Sequence, residues 1–96
     1  MIDTNLDLNP AGLGATVGRR LKALRLQRNV TQAELARRAG VSRPTLVALE
    51  QGRSTLDTLA RVAIALGREE GLAALFVPDP VIGVPAGPRP RQRARS

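Results

Sequence analysis

The chain contains no cysteine and no histidine. The first absence removes disulfides and thiolate nucleophiles, and the second removes the commonest general base. Together they remove the usual zinc ligands. Tryptophan and tyrosine are missing as well, and Phe76 is the single aromatic residue. No apolar run approaches the ~20 residues that span a bilayer. The opening MIDTNLDLNP has neither a basic start nor a long apolar segment, so it does not read as a signal peptide, and a cytoplasmic protein is expected. Gly12, Gly14 and Gly18 form G-x-G-x-x-x-G, which has the wrong spacing for a dinucleotide loop and no strand before it. The sequence therefore predicts no enzyme, no catalytic residue, no metal site and no cofactor.

What remains is small, apolar and basic. Ninety-six residues allow one domain with a modest core. With so little aromatic volume that core has to be built from Leu, Val, Ile and Ala, and so lean a core often relies on a partner subunit. The net charge is +7. Residues 1–80 hold eleven basic against eight acidic side chains, and residues 81–96 add four arginines and no acid. This balance favours polyanions, nucleic acid first. Every basic residue but Lys22 is arginine, which suits bidentate contacts to phosphate or guanine. Coding bias toward Ala, Gly, Pro and Arg would produce the same ratio.

Along the chain, residues 1–9 read as a flexible acidic arm. Asn9-Pro10 is a cap and first-turn pair for a first helix, firmest from Leu13 to Arg28, with Val17, Leu21 and Leu24 as its core stripe. Thr31 and Glu34 form a T-x-x-E capping box for a second helix, whose apolar stripe is Leu35, Ala36 and Ala39. The break at Ala39-Gly40-Val41-Ser42 has its own chemistry. Gly40 accepts the positive φ that stops a helix, Ser42 caps the next one, and Pro44 sits in its first turn. A third helix over about Arg43–Gln51 turns Leu46 and Leu49 inward. Small Ala36 lets the two backbones approach, and Val41 plugs the corner. Gly52 ends the third helix, and Thr55 caps a fourth over Leu56–Leu66 with Leu56, Leu59, Val62, Ala63 and Leu66 as its apolar face. EEGLAALFV, residues 69–77, suggests a short fifth helix. From Pro78 onward lie five of the seven prolines and the ending GPRPRQRARS, which predicts disorder. The division is thus an arm (1–9), a helical domain (10–77) and a basic tail (78–96).

TQAELARRAGVS followed by TLVALEQGR resembles the Xre/Cro/cI-type helix-turn-helix DNA-binding family over roughly residues 13–67. Leu35, Ala36, Ala39, Gly40, Val41, Leu46 and Leu49 all meet the motif's apolar and small-residue rules. A plain helical hairpin in some other all-α domain is the competing reading. The resemblance implies an all-α fold, a compact five-helix bundle of the lambda-repressor-like type, with the third helix reading base edges in the major groove.

It also implies roles for particular side chains. Ser42, Arg43, Pro44, Thr45, Val47 and Ala48 would face the bases. Arg43 alone could pair bidentately with guanine O6 and N7, or else serve as a phosphate clamp. The family often carries Gln where this chain has Pro44 and Ala48, so reduced base discrimination is expected. Thr31, Gln32, Gln51 and Arg53 would contact phosphate, Gln32 from a helix N-terminus. Arg25 and Glu50 would form a partly buried structural ion pair.

The function so implied is a sequence-specific transcriptional regulator, a repressor by preference, acting at the nucleoid as a homodimer on two half-sites of double-stranded DNA. Leu72, Leu75, Phe76 and Val77 would either close the monomer core or form the twofold interface, with the second preferred. The alternative is an antitoxin of the HipB type, which would bind a kinase-like toxin protein and repress its own operon. Its basis is the size of the chain, the stretch ALGREEGLAALF and the RPRQRAR ending. No membrane partner is expected. The tail's arginines would lie on DNA phosphates, meet an acidic partner, or stay solvated.

Overall fold

The computed structural model describes residues 8–80; the rest of the expected arm and tail, 1–7 and 81–96, lies outside the described residues. Five helices follow in order: α1 (Pro10–Gln27), α2 (Gln32–Ala39), α3 (Arg43–Glu50), α4 (Leu56–Ala65) and α5 (Glu69–Ala73). No strand occurs among the described residues, and the fold is the all-α bundle expected.

The first four helices begin in the same chemical way. A side-chain oxygen of Asn9, Thr31, Ser42 or Thr55 accepts the backbone N–H three residues further on. Each such cap stabilises its helix by about 1 kcal/mol. Helix α2 stops at Gly40, whose φ of 73° places it in the left-handed region, where a residue with a Cβ is strained by about 1–2 kcal/mol. There the Gly40 and Val41 N–H groups cap α2 through the Arg37 and Ala36 carbonyls. The chain can then turn straight into α3.

Leu35, Leu46 and Val62 are the largest fully buried side chains, and Ala36, Ala39, Leu49 and Leu66 complete the centre. Removing each large side chain from water contributes about 1.5–3 kcal/mol. Helix α2 packs on both α3 and α4, and α1 packs on α3. Leu21, Leu24, Val30, Val41 and Leu59 close the edges.

Three expectations are corrected. Val17 is 43% exposed, because the first half of α1 meets α3 through glycines, while Leu21 and Leu24 of the expected stripe do pack on the core. A Cβ on Gly18 would lie 2.5 Å from the Glu50 carbonyl oxygen, and one on Gly14 would lie 2.8 Å from that of Gly52. The backbones are in contact, and Val17 points past the seam. Leu56 is 74% exposed, since it lies in the first turn of α4, ahead of the turns that bring Leu59 and Val62 inward. The fifth helix ends at Ala73 and not at Val77. Phe76 takes a φ of 60°, and Val77 precedes a proline, which disfavours helical backbone. Leu75, Phe76 and Val77 are 55%, 95% and 63% exposed, so these three do not close the monomer core. Leu72 is half-buried.

Candidate nucleic-acid interface

With Leu46 and Leu49 turned inward, the opposite side of α3 stays open. Arg43, Pro44, Val47, Ala48, Gln51 and Arg53 line one shallow groove on it. Arg43 opens α3 and Arg53 follows its end, so the groove has an apolar floor with a guanidinium from each end of the helix. Arg43, Pro44, Gln51 and Arg53 are exposed, whereas Val47 and Ala48 are half-buried.

The other expected base readers serve the cap first. Ser42 Oγ accepts the Thr45 N–H at 3.2 Å, and the two hydroxyls share a 2.7 Å bond. One hydroxyl donates in that bond, which leaves the proton of the other for a ligand. At the far end, the Arg53 N–H binds the Ala48 carbonyl at 2.9 Å, and Arg53 Nη2 donates to Gln51 Oε1 at 2.7 Å. The Gln51 amide nitrogen is thereby left as a donor.

Arg25 and Glu50 form a two-pronged ion pair beneath this surface. Arg25 Nε donates to Glu50 Oε2 at 2.6 Å and Nη2 to Oε1 at 3.2 Å, while Nη1 binds the Val30 carbonyl at 2.9 Å. The two side chains are 6% and 4% exposed. Such a pair is costly to break, because the survivor is a buried, uncompensated charge. Gln32 also reaches this pair: its Nε2 donates to Glu50 Oε1 at 3.0 Å, and its Oε1 accepts from Arg43 Nε and Nη2, both at 3.4 Å. The residue expected on a phosphate is thus already engaged with the protein.

The capping box of α2 is only half formed. Thr31 Oγ1 accepts the Glu34 N–H at 3.0 Å, but the Glu34 carboxylate turns to Arg37 and Arg38 at 2.5 and 2.7 Å. Charge-assisted bonds to two guanidiniums outcompete a neutral backbone N–H. Those bonds, Arg37 first, hold the Glu34 carboxyl below its ordinary range. The Thr31 hydroxyl proton remains free to donate. Two further features escaped sequence reasoning. Arg28 donates to the Leu66 carbonyl at the end of α4, a contact with no local signature. The glycine seam of α1 did have one, since Gly14 and Gly18 are four apart and so share a helix face.

A helix pair locked at a glycine corner, with its second helix open on one side, defines the helix-turn-helix class. Residues 21–72 match the helix-turn-helix family, and the chain belongs to that family, of the Xre type. It is 48% identical over 54 residues to the immunity repressor protein of Bacillus phage phi105, a match covering 54% of this chain and 38% of that repressor. It is 46% identical over 57 residues to an uncharacterized HTH-type transcriptional regulator of Methanothermobacter thermautotrophicus, covering 57% of this chain and 81% of the relative.

Proposed function

We propose that the protein is a sequence-specific, DNA-binding transcriptional regulator, a repressor, that acts as a homodimer on an operator of two half-sites. The observation that carries this reading is the division of α3. One side is wholly buried in Leu46 and Leu49, while the other presents Arg43 to Arg53 as an open face. The relatives named as an immunity repressor and a transcriptional regulator support it.

On this reading α3 lies in the major groove with its N-terminal residues at the base edges. Phosphate contacts from Thr31, Gln51 and Arg53, and from the N-terminus of α2, supply most of the affinity. Arg43, with help from the hydroxyls of Ser42 and Thr45, supplies the discrimination; Pro44 and Ala48 offer only apolar contact. Two copies meet through Leu72, Leu75, Phe76 and Val77, and repression is steric.

Selection of bound duplexes from a randomised pool by the full chain tests the proposal. The expected result is a symmetric pair of half-sites one turn (~34 Å) apart. Recovery of no sequence above background would remove the DNA-binding reading.

A further inference from the structure

We infer that the groove between the N-terminal halves of α1 and α4 is the seat of the chain's own N-terminal arm, with the Leu6 side chain lying between Val17 and Leu56. The inference is independent of the DNA-binding reading. Its basis is that two apolar stripes run on past the end of the core. On α1 the stripe is Leu13, Val17, Leu21 and Leu24. Leu21 and Leu24 pack on the core, whereas Leu13 and Val17 are exposed. On α4 it is Leu56, Leu59, Val62 and Leu66. Val62 and Leu66 are buried, Leu59 is half-buried, and Leu56 stands out in solvent. The two open ends meet, since Val17, Leu56 and Leu59 line one groove together with Gly14 and Gly52. A core stripe left open on two helices at the same place calls for one more apolar element.

The arm fits that place in register and in charge. Leu8 precedes the N-cap Asn9, and Leu13 is the fourth residue of α1. These are the two positions whose apolar pairing fixes the angle at which a chain enters its helix. In an extended segment Leu6 and Leu8 share one side, about 7 Å apart. Leu13 and Val17 share one face of α1, about 6 Å apart along its axis. Leu8 on Leu13 therefore brings Leu6 to Val17 and to the groove beside it. The arm carries Asp3 and Asp7 and no basic residue, which sets it against DNA phosphate. Cations flank the groove instead: Arg20, three residues beyond Val17, and Arg53, between the groove residues Gly52 and Ser54, are both exposed.

Because the chain has no cysteine, an introduced pair reports the contact directly. The full chain carrying Leu6→Cys and Val17→Cys should close a disulfide within one chain under mild oxidation. Leu6→Cys with Arg19→Cys should close far less, because exposed Arg19 lies about 200° around α1 from Val17. Leu6→Ala should lower the midpoint of thermal unfolding by about 4–8 °C, a shift that an unanchored arm side chain would not produce. Leu56→Ala should lower it comparably, and the two together should do no more than either alone, because they remove the same contact. An unchanged midpoint on Leu6→Ala, effects that add, or equal closure of the two cysteine pairs would overturn the inference. A disulfide linking two chains in place of an internal one would also overturn it, by assigning the groove to a second copy.

Discussion

At the scale of single residues, charge placement separates reading from holding. Arg43 is exposed and only loosely held, so Arg43→Ala should leave folding intact. On a selected site it should cost about 1–3 kcal/mol and relax base preference at one position. Competition binding against single-base variants measures this; a uniform loss would make Arg43 a phosphate clamp. Glu50 belongs to the holding group. Glu50→Ala leaves Arg25 buried without its counter-charge and should destabilise the fold by about 3–5 kcal/mol, as read from denaturant midpoints. An effect below 1 kcal/mol would mean that the pair is effectively solvated.

At the scale of elements, the glycines of α1 and α5 make opposite predictions. A Cβ on Gly18 collides with backbone oxygens of Leu49 and Glu50, so Gly18→Ala has to push α1 off α3, at about 1–3 kcal/mol or more. A Cβ on Gly71 meets nothing within 4 Å. Gly71→Ala should therefore stabilise by about 0.4–1 kcal/mol, through the entropy lost by the unfolded chain. Thermal unfolding of the two variants checks both signs. Helix α2 carries the pH-sensitive element. Because the Glu34 carboxyl is held below its ordinary range by Arg37 and Arg38, the folded state binds fewer protons than the unfolded state at that group. The stabilisation is complete above the ordinary carboxylate range and disappears as pH falls through the lowered one. Glu34→Gln should thus destabilise α2 slightly at neutral pH and leave acid stability unchanged. Added salt should shrink the neutral-pH difference, because the group is exposed.

For the whole molecule, the question is what the exposed end of α5 meets. Leu75, Phe76 and Val77 are more than half exposed, and the core inside them is small. Pairing Leu72→Asp with Phe76→Asp should give monomers in sedimentation and weaken binding to a two-half-site duplex far more than to a single half-site. A persisting dimer would move the interface elsewhere. Leu13, Val17, Leu56 and Ile64 are also exposed apolar residues and would be the next positions to substitute.

Helix content, the glycine corner and most caps were legible in the residues themselves. They depend on interactions three or four positions apart, and Thr31, Gly40, Ser42 and Thr55 each carry a local backbone reason for their identity. The inward positions of α2 and α3 followed from periodicity, which is also local. The Arg25–Glu50 pair was anticipated only through family resemblance, because no spacing rule joins residues 25 positions apart. Tertiary structure alone decided that α1 meets α3 through glycine, leaving Val17 outside. It alone showed that Glu34 prefers two arginines to its capping partner, and that Gln32 lies between the buried ion pair and Arg43. Those outcomes depend on which donors and acceptors come within about 3 Å of one another, a distance that exists only once the helices have packed.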